Sequence, residues 1–421
     1  MIVGHGHKEG RLADTDVLAL CEEALAEVRL EGKKVLALIP DSTRTAPVGL
    51  MFRTLVGLLK DRAEQLDFLI ALGTHQPMSE AKILAMLEMD AEERNTPYGD
   101  VGIFNHEWDN PDALTTVATL AADEMDRLTE GRYARDVPVE LNRRLFDYDH
   151  ILIVGPTFPH EVVGFSGGHK YLFPGVAGPE IIHFFHWLGA LVTNWKINGV
   201  KDTVVRRVID RAVEEIDLPI TNLDMVVTRE GLKGLFIGDP KEAYSAAADL
   251  SAQVHIRYVD RPCKRVLGIA PEMYDDLWVA GKVMYKLEPV VADGGELVIY
   301  APHSTEVSYT HGHVLDKVGY HCLDYFREQM DKFADVPGGI MAHSTHVKGL
   351  GTYCDGTETP RIRVTLATGI PKERCDRINL GYLDPREVRL AEWLGRENEG
   401  TLVVDHAGET LYRLTSEQDG T

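Results

Sequence analysis

The residues able to do chemistry gather in a few loops. "DSTRTAP" (41–47) holds Asp41 and Arg44, "GTHQP" (73–77) holds His75, and "GPTFPHEVVGFSGGHKYLFPGVAG" (155–178) holds His160 and Lys170. "PEIIHFFHWLGA" (179–190) follows with His183 and His186. An arginine beside a helix start favours an anion and can grip a carboxylate with two parallel hydrogen bonds. Two imidazoles facing one ligand suit removal and return of a proton on opposite sides, because histidine titrates near neutral pH. Lys170 can be a phosphate contact, a surface lysine or, if desolvation lowers its pKa, a covalent anchor. His183 and His186 are three apart and share a helical face, which suits an ordinary divalent ion or one histidine on a metal held mainly by something else.

Each of these has a plainer reading. Asp41 or Ser42 can cap the following helix, with Pro47 in its first turn. A loop histidine is commonly structural, and HxxH is frequent by chance. "GFSGG" lets backbone approach a partner closely, with a phosphate cradle the first guess, but neither the P-loop spacing nor GxGxxG is present.

The elements that must position these residues alternate. Short apolar runs, "KKVLALIP" (33–40), "DFLIALG" (67–73), "HILIVG" (150–155) and "DMVVTR" (224–229), read as strands covered on both faces. Between them lie helical patterns, "TDVLALCEEALAEVRL" and "APVGLMFRTLVGLLKDRAEQL". This predicts an α/β fold with a largely parallel sheet. A second set, "KRVLGIA" (264–270), "GELVIYA" (295–301) and "RIRVTLATG" (361–369), with "DYFREQMDKFA" as a helix, predicts a smaller α/β domain. The expected division is residues 1–260 and 261–385, with about 386–421 able to return to the first domain. Ligands of parallel sheets bind beyond the carboxyl ends of the strands. Here those ends read "IPDSTRTAP", "ALGTHQP", "VGPTFPHE" and "IYAPHSTE", the last three with a histidine.

Composition narrows the class. Apolar residues at 44% and charged residues at 26% are those of a globular chain with a sizeable core. A net charge of −22 argues against nucleic acid or an anionic membrane surface as partner. Five scattered cysteines without a CxxC pair predict neither a disulfide framework nor a zinc-thiolate site. With no signal-peptide pattern at the N-terminus and no run near ~18 apolar residues, a cytoplasmic location is expected.

Together the motifs resemble the nickel-dependent lactate racemase family: "DSTRTAP", "GTHQPMS", "FPHEVVGFSGGHKYLFPGVAG" and the helix carrying His186, in that order. His160 to Lys170 is ten positions and Lys170 to His186 sixteen, as the family pattern requires. The resemblance implies two α/β domains with a cofactor site in the cleft between them. It implies a nickel pincer nucleotide, a pyridinium mononucleotide tied through a thioamide to Lys170 and completed at nickel by His186. Asp41, Thr43, Gly73, Ser166, Gly167 and Gly168 would line the cofactor. His75 and His160 match the acid/base pair of a racemase or epimerase acting at C2 of a 2-hydroxy acid by proton-coupled hydride transfer. Arg44 and Lys282 would orient the substrate. The cofactor requires its own biosynthetic enzymes as partners, and an oligomer is left open.

The departures fall near the substrate. Where the family reads Tyr-Gln-Ala-x-Lys, this chain has "WVAGK" (278–282), so Trp278 and Val279 predict a more apolar pocket that takes lactate or a bulkier 2-hydroxy acid. A later family tryptophan has no counterpart; "MAHSTHVKG" (341–349) stands there, with His343 and His346 expected at the surface. The alternative class is a hydrolase or lyase using His183 and His186 with an ordinary divalent ion.

Overall fold

The structure, a computed structural model, describes residues 2–420. The chain divides into two compact units: residues 1–158, 165–182 and 201–254 in the first, and 159–164, 183–200 and 255–421 in the second.

The first unit is built on a seven-stranded sheet in the order Ile2–Gly6, Gly231–Gly238, Ile220–Thr228, His150–Pro156, Lys34–Ile39, Gln65–Ile70, Ile103–Asn105. The five strands from Ile220–Thr228 onward run parallel, and the first two in the order pair antiparallel at the edge. In "KVLALI" every residue after Lys34 is buried, as a central strand covered on both faces requires. The helix Asp14–Ala26 starts with Asp14 and Asp16, which suit the positive end of its dipole, and buries Val17, Leu20, Cys21, Ala24 and Leu25 on one face. Phe52 on the helix Val48–Leu59 meets Phe68 of the sheet with ring centroids 4.7 Å apart. Burial of each such side chain contributes about 1.5–3 kcal/mol.

The second unit holds a five-stranded parallel sheet in the order Gly381–Leu383, Arg363–Thr368, Val291–Ala301, Cys263–Ile269, Thr401–Val404. Both sheets are thus those of an α/β protein, mostly parallel. The C-terminal segment, which the sequence left able to return to the first unit, instead adds strand Thr401–Val404 beside Cys263–Ile269. That strand closes the edge of the sheet, and Leu411–Leu414 pairs with Ile256–Val259.

The helix expected over 324–334 is broken into Leu323–Arg327 and a 3-10 turn Met330–Phe333. Packing overrides the periodicity there: Phe326 and Phe333 turn onto each other, centroids 4.9 Å apart. Among the described residues no helix is long and apolar enough to cross a membrane, and all five cysteines are free.

Candidate functional site

In the first unit the strands Lys34–Ile39 and Gln65–Ile70 are parallel neighbours, so the loops at their carboxyl ends emerge side by side. Asp41 follows the first and His75 the second. Asp41 Oδ2 stands 2.5 Å from His75 Nδ1. Its Oδ1 accepts from the Thr43 hydroxyl at 2.6 Å and the Thr43 N–H at 3.1 Å, and the Arg44 guanidinium reaches the same hydroxyl at 3.1 Å. Asp41 therefore does not cap the next helix; that helix begins at Val48 with Pro47 as its N-cap and no side-chain cap. Burial pushes the Asp41 carboxyl up, but His75, Arg44 and Thr43 outweigh it and hold the carboxyl well below its usual range. Arg44 also lies over the Phe158 ring at 5.7 Å.

The loop carrying Lys170 is tied from within. Ser166 Oγ donates to Pro156 O at 2.7 Å and accepts from the Phe158 N–H at 3.0 Å. Gly168 N–H donates to Asp224 at 3.0 Å, and the Arg206 guanidinium holds the carbonyls of Phe165 and Gly167. Gly167 has φ +87°, and a Cβ there would strike Thr157 and Asp224. The first guess of a phosphate cradle is corrected here: Gly167 and Gly168 lie hard against protein, and Asp224 occupies the Gly168 donor. Burial drives the Asp224 carboxyl up to about 6, against the pull of its hydrogen-bond donors. Gly73 differs: at φ +55° its Cβ direction is open, with Pro174 O the nearest atom at 3.9 Å. Lys170 sits half-buried in the short 3-10 turn Gly168–Tyr171, and its neighbour His169 is paired to Asp210 at 2.7 Å.

The second unit gathers the remaining residues. His160 is 6% exposed; its Nδ1 accepts from the Val162 N–H at 3.2 Å and stands 3.6 Å from Glu161 Oε2. Helix Lys282–Leu287 puts Lys282 and Lys286 four apart on one face. Lys286 is 1% exposed, with its ammonium on Pro159 O and 3.4 Å from Asn198 Oδ1. Burial raises Glu161, but Lys286, its own backbone N–H, His346 and Lys282 outweigh it and leave the carboxyl below its ordinary range. Lys282 Nζ lies 4.7 Å over the Tyr274 ring.

His343 and His346, expected at the surface, are buried on the helix Gly338–Lys348. His343 is held at both ring nitrogens, Nδ1 by the Tyr285 hydroxyl at 2.7 Å and Nε2 by the Tyr320 hydroxyl at 3.1 Å. It stacks on Trp278 at 4.1 Å, and His311 meets the same indole at 4.6 Å. The surroundings of Trp278 are therefore imidazole-rich, not simply apolar, while Val279 is part of the unit's core. His346 Nε2 is buried without a hydrogen-bond partner. His183 and His186, from the helix Pro179–Val192, are electrostatic neighbours in this group. Burial lowers His183 and His346 to about 4 and holds His343 well below its ordinary value; nearby imidazoles add to this, while Glu161 pulls His346 back up. His183, His343 and His346 are therefore neutral near pH 7, with both nitrogens of His343 already taken by the two tyrosines.

Among the described residues no group of three or more His, Cys, Asp or Glu side chains is arranged to hold a metal ion. His303, the histidine of the fourth strand end, lies in the turn after strand Val291–Ala301 of the second unit and bonds Tyr274 O at 3.1 Å. Glu161 and Lys286 went unremarked in the sequence, although the i, i+4 spacing of Lys282 and Lys286 was a usable signal.

A family model for the lactate racemase N-terminal domain matches residues 15–197. A crystal structure of a Thermotoga maritima protein matches with a TM-score of 0.88 at 34% identity, over 96% of this chain and 99% of that one. The lactate racemase apoprotein of Thermoanaerobacterium thermosaccharolyticum matches with a TM-score of 0.72 over 98% of this chain and 100% of that one; at 16% identity that likeness is one of fold. No curated protein matches. Through its match to the lactate racemase N-terminal domain over residues 15–197, the chain belongs to the lactate racemase family.

Proposed function

We propose that the chain is a racemase or epimerase that inverts C2 of a 2-hydroxy acid, lactate or a bulkier one, with a nickel pincer nucleotide anchored on Lys170. The observation that carries this reading is the Asp41–His75 pair: a buried carboxylate fixes Nδ1 of an imidazole at the end of a parallel strand. That arrangement leaves Nε2 as the base.

The residues fit the cofactor in a specific way. No group of three or more protein ligands forms a metal site among the described residues, and a metal held mainly by its own organic ligand needs only one histidine, here His186. The neighbouring imidazoles His183, His343 and His346 are neutral, so they do not repel a cation. When bound, the cofactor supplies the acceptor and donor for the hydrogen at C2. His75 takes the hydroxyl proton of one enantiomer and His160 serves the other, because the two hands offer their hydroxyls to opposite sides. Arg44 pairs with the substrate carboxylate and Lys282 steadies its oxygens. Trp278 bounds the side chain. Ser166, Gly167 and Gly168 shape the Lys170 loop from inside. The working location is the cytoplasm, with the 2-hydroxy acid and the cofactor-making enzymes as partners.

The test is intact-protein mass and nickel content after production alongside the cofactor-making enzymes, for wild type and Lys170→Ala. An added mass of the nucleotide's size with about one nickel, absent from the variant, supports the reading. No adduct under conditions that load an authentic relative sinks it, and activity restored by zinc or manganese alone brings forward the hydrolase or lyase.

A further inference from the structure

The two histidines assigned to proton transfer are held by opposite kinds of partner at the same ring atom. His75 Nδ1 meets a carboxylate, which only accepts, so its proton sits on Nδ1 and Nε2 carries the lone pair. His160 Nδ1 meets the Val162 N–H, which only donates, so the neutral ring carries its hydrogen on Nε2. In that form His160 cannot take a proton at Nε2. To become a base it must move its hydrogen to Nδ1, and to become charged it must add one there. Either way an Nδ1 proton needs an acceptor. Glu161 Oε2, 3.6 Å away, stands within a small side-chain movement of it.

We propose that Glu161 is the positioning residue of His160: its carboxylate accepts the Nδ1–H hydrogen bond in the base-competent and charged forms and has no such bond to accept in the resting form. The proton stays on the imidazole as a hydrogen bond to the carboxylate, and no group is consumed. Glu161 is suited to this because Lys286, His346 and Lys282 are electrostatic neighbours that favour its charged form, its side chain is 14% exposed, and Tyr285 is a further electrostatic neighbour. Lys282, which steadies the substrate's oxygens, would then sense through Glu161 which form His160 holds. In the resting form His75 is therefore the competent base, and His160 enters only after its Nδ1 gains a hydrogen, by a tautomer change or by protonation.

The inference rests on the acid/base reading of His160, but its test does not. Long-range proton–nitrogen NMR of protein labelled at histidine nitrogen, made without cofactor, reads the tautomer directly; the His160 signal is the one lost in His160→Gln. At high pH the wild type is expected in the Nε2–H form. In Glu161→Gln the protonation midpoint of His160 is expected at lower pH, and in Glu161→Asp close to wild type. An Nδ1–H tautomer in the wild type, or an unchanged midpoint in a folded Glu161→Gln protein, overturns the proposal. If the tautomer result holds and no nucleotide adduct ever forms on Lys170, the racemase reading fails while this one stands.

Discussion

Asp41 Oδ2 lies 2.5 Å from His75 Nδ1, and the same carboxylate takes both donors of Thr43 through its other oxygen. Asp41 is therefore held through both of its oxygens. The pair fixes which nitrogen of His75 carries hydrogen and which faces outward as a base. In Asp41→Asn the charge is lost and the amide can present N–H to Nδ1, which reverses the tautomer. We expect kcat to fall roughly 10²–10⁴-fold, as when a histidine's orienting carboxylate is neutralised, with a smaller change in KM. Steady-state kinetics on protein shown by mass to carry the cofactor checks this; a loss under tenfold would remove Asp41 from the proton-transfer step.

His343 gives a second prediction, about stability. Tyr285 and Tyr320 are 3% and 0% exposed, and both hydroxyls point at its ring. His343→Phe keeps an aromatic face for Trp278 but strands two buried hydroxyls, each at a cost of about 1–3 kcal/mol. Replacing all three, with Tyr285→Phe and Tyr320→Phe added, removes the stranded groups and should recover much of that loss. Urea denaturation of the single and triple variants measures it. A triple variant less stable than the single would show that the ring's packing, and not its hydrogen bonds, is what the fold needs.

The burial of His343 and His346 was not legible in the sequence, for a definite reason. Every residue from Gly339 to Lys348 on their helix is buried, so no polar face alternates with an apolar one and no 3.6-residue period emerges. The purpose of the "GFSGG" loop was hidden in another way: its partners Arg206 and Asp224 lie about 40 to 60 positions away. The sheet strands, by contrast, are continuous apolar runs that need no partner to be recognised. Asp41 and His75 were readable as neighbours because each follows such a run. Glu161 stood beside His160 in plain view, but adjacency in a loop says nothing about which ring atom it approaches.

The two kinds of glycine should separate experimentally. Gly167 has φ +87° and a Cβ direction filled by Thr157 and Asp224, whereas Gly73 has φ +55° and open space. Gly167→Ala combines left-handed strain with a clash, on the order of 2–5 kcal/mol together. Gly73→Ala carries only the backbone term, about 1–2 kcal/mol. Chemical denaturation of both variants would show the order; equal losses would mean the Lys170 loop shifts to absorb the methyl.

Acid should weaken the fold, and the sign follows from which groups dominate. Burial lowers His106, His150, His183 and His346 to about 4, and holds His343 well below its ordinary value. In the unfolded chain each titrates near 6.5. Between those values the unfolded chain binds more protons than the folded one, so the stability from these groups is full above about 6.5 and is lost as the pH falls toward 4. Asp224, raised to about 6 by burial, acts the other way, gaining stability as its carboxyl is protonated, and the raised Glu140 and Glu288 side with it. Five imidazoles outnumber three carboxyls, and a fully buried group shifted by two units is worth about 2.7 kcal/mol. The denaturation midpoint should therefore fall steadily from pH 7 to pH 5. A midpoint that is flat or rises over that range would mean the buried histidines take up protons without unfolding, and that their surroundings open to water in acid.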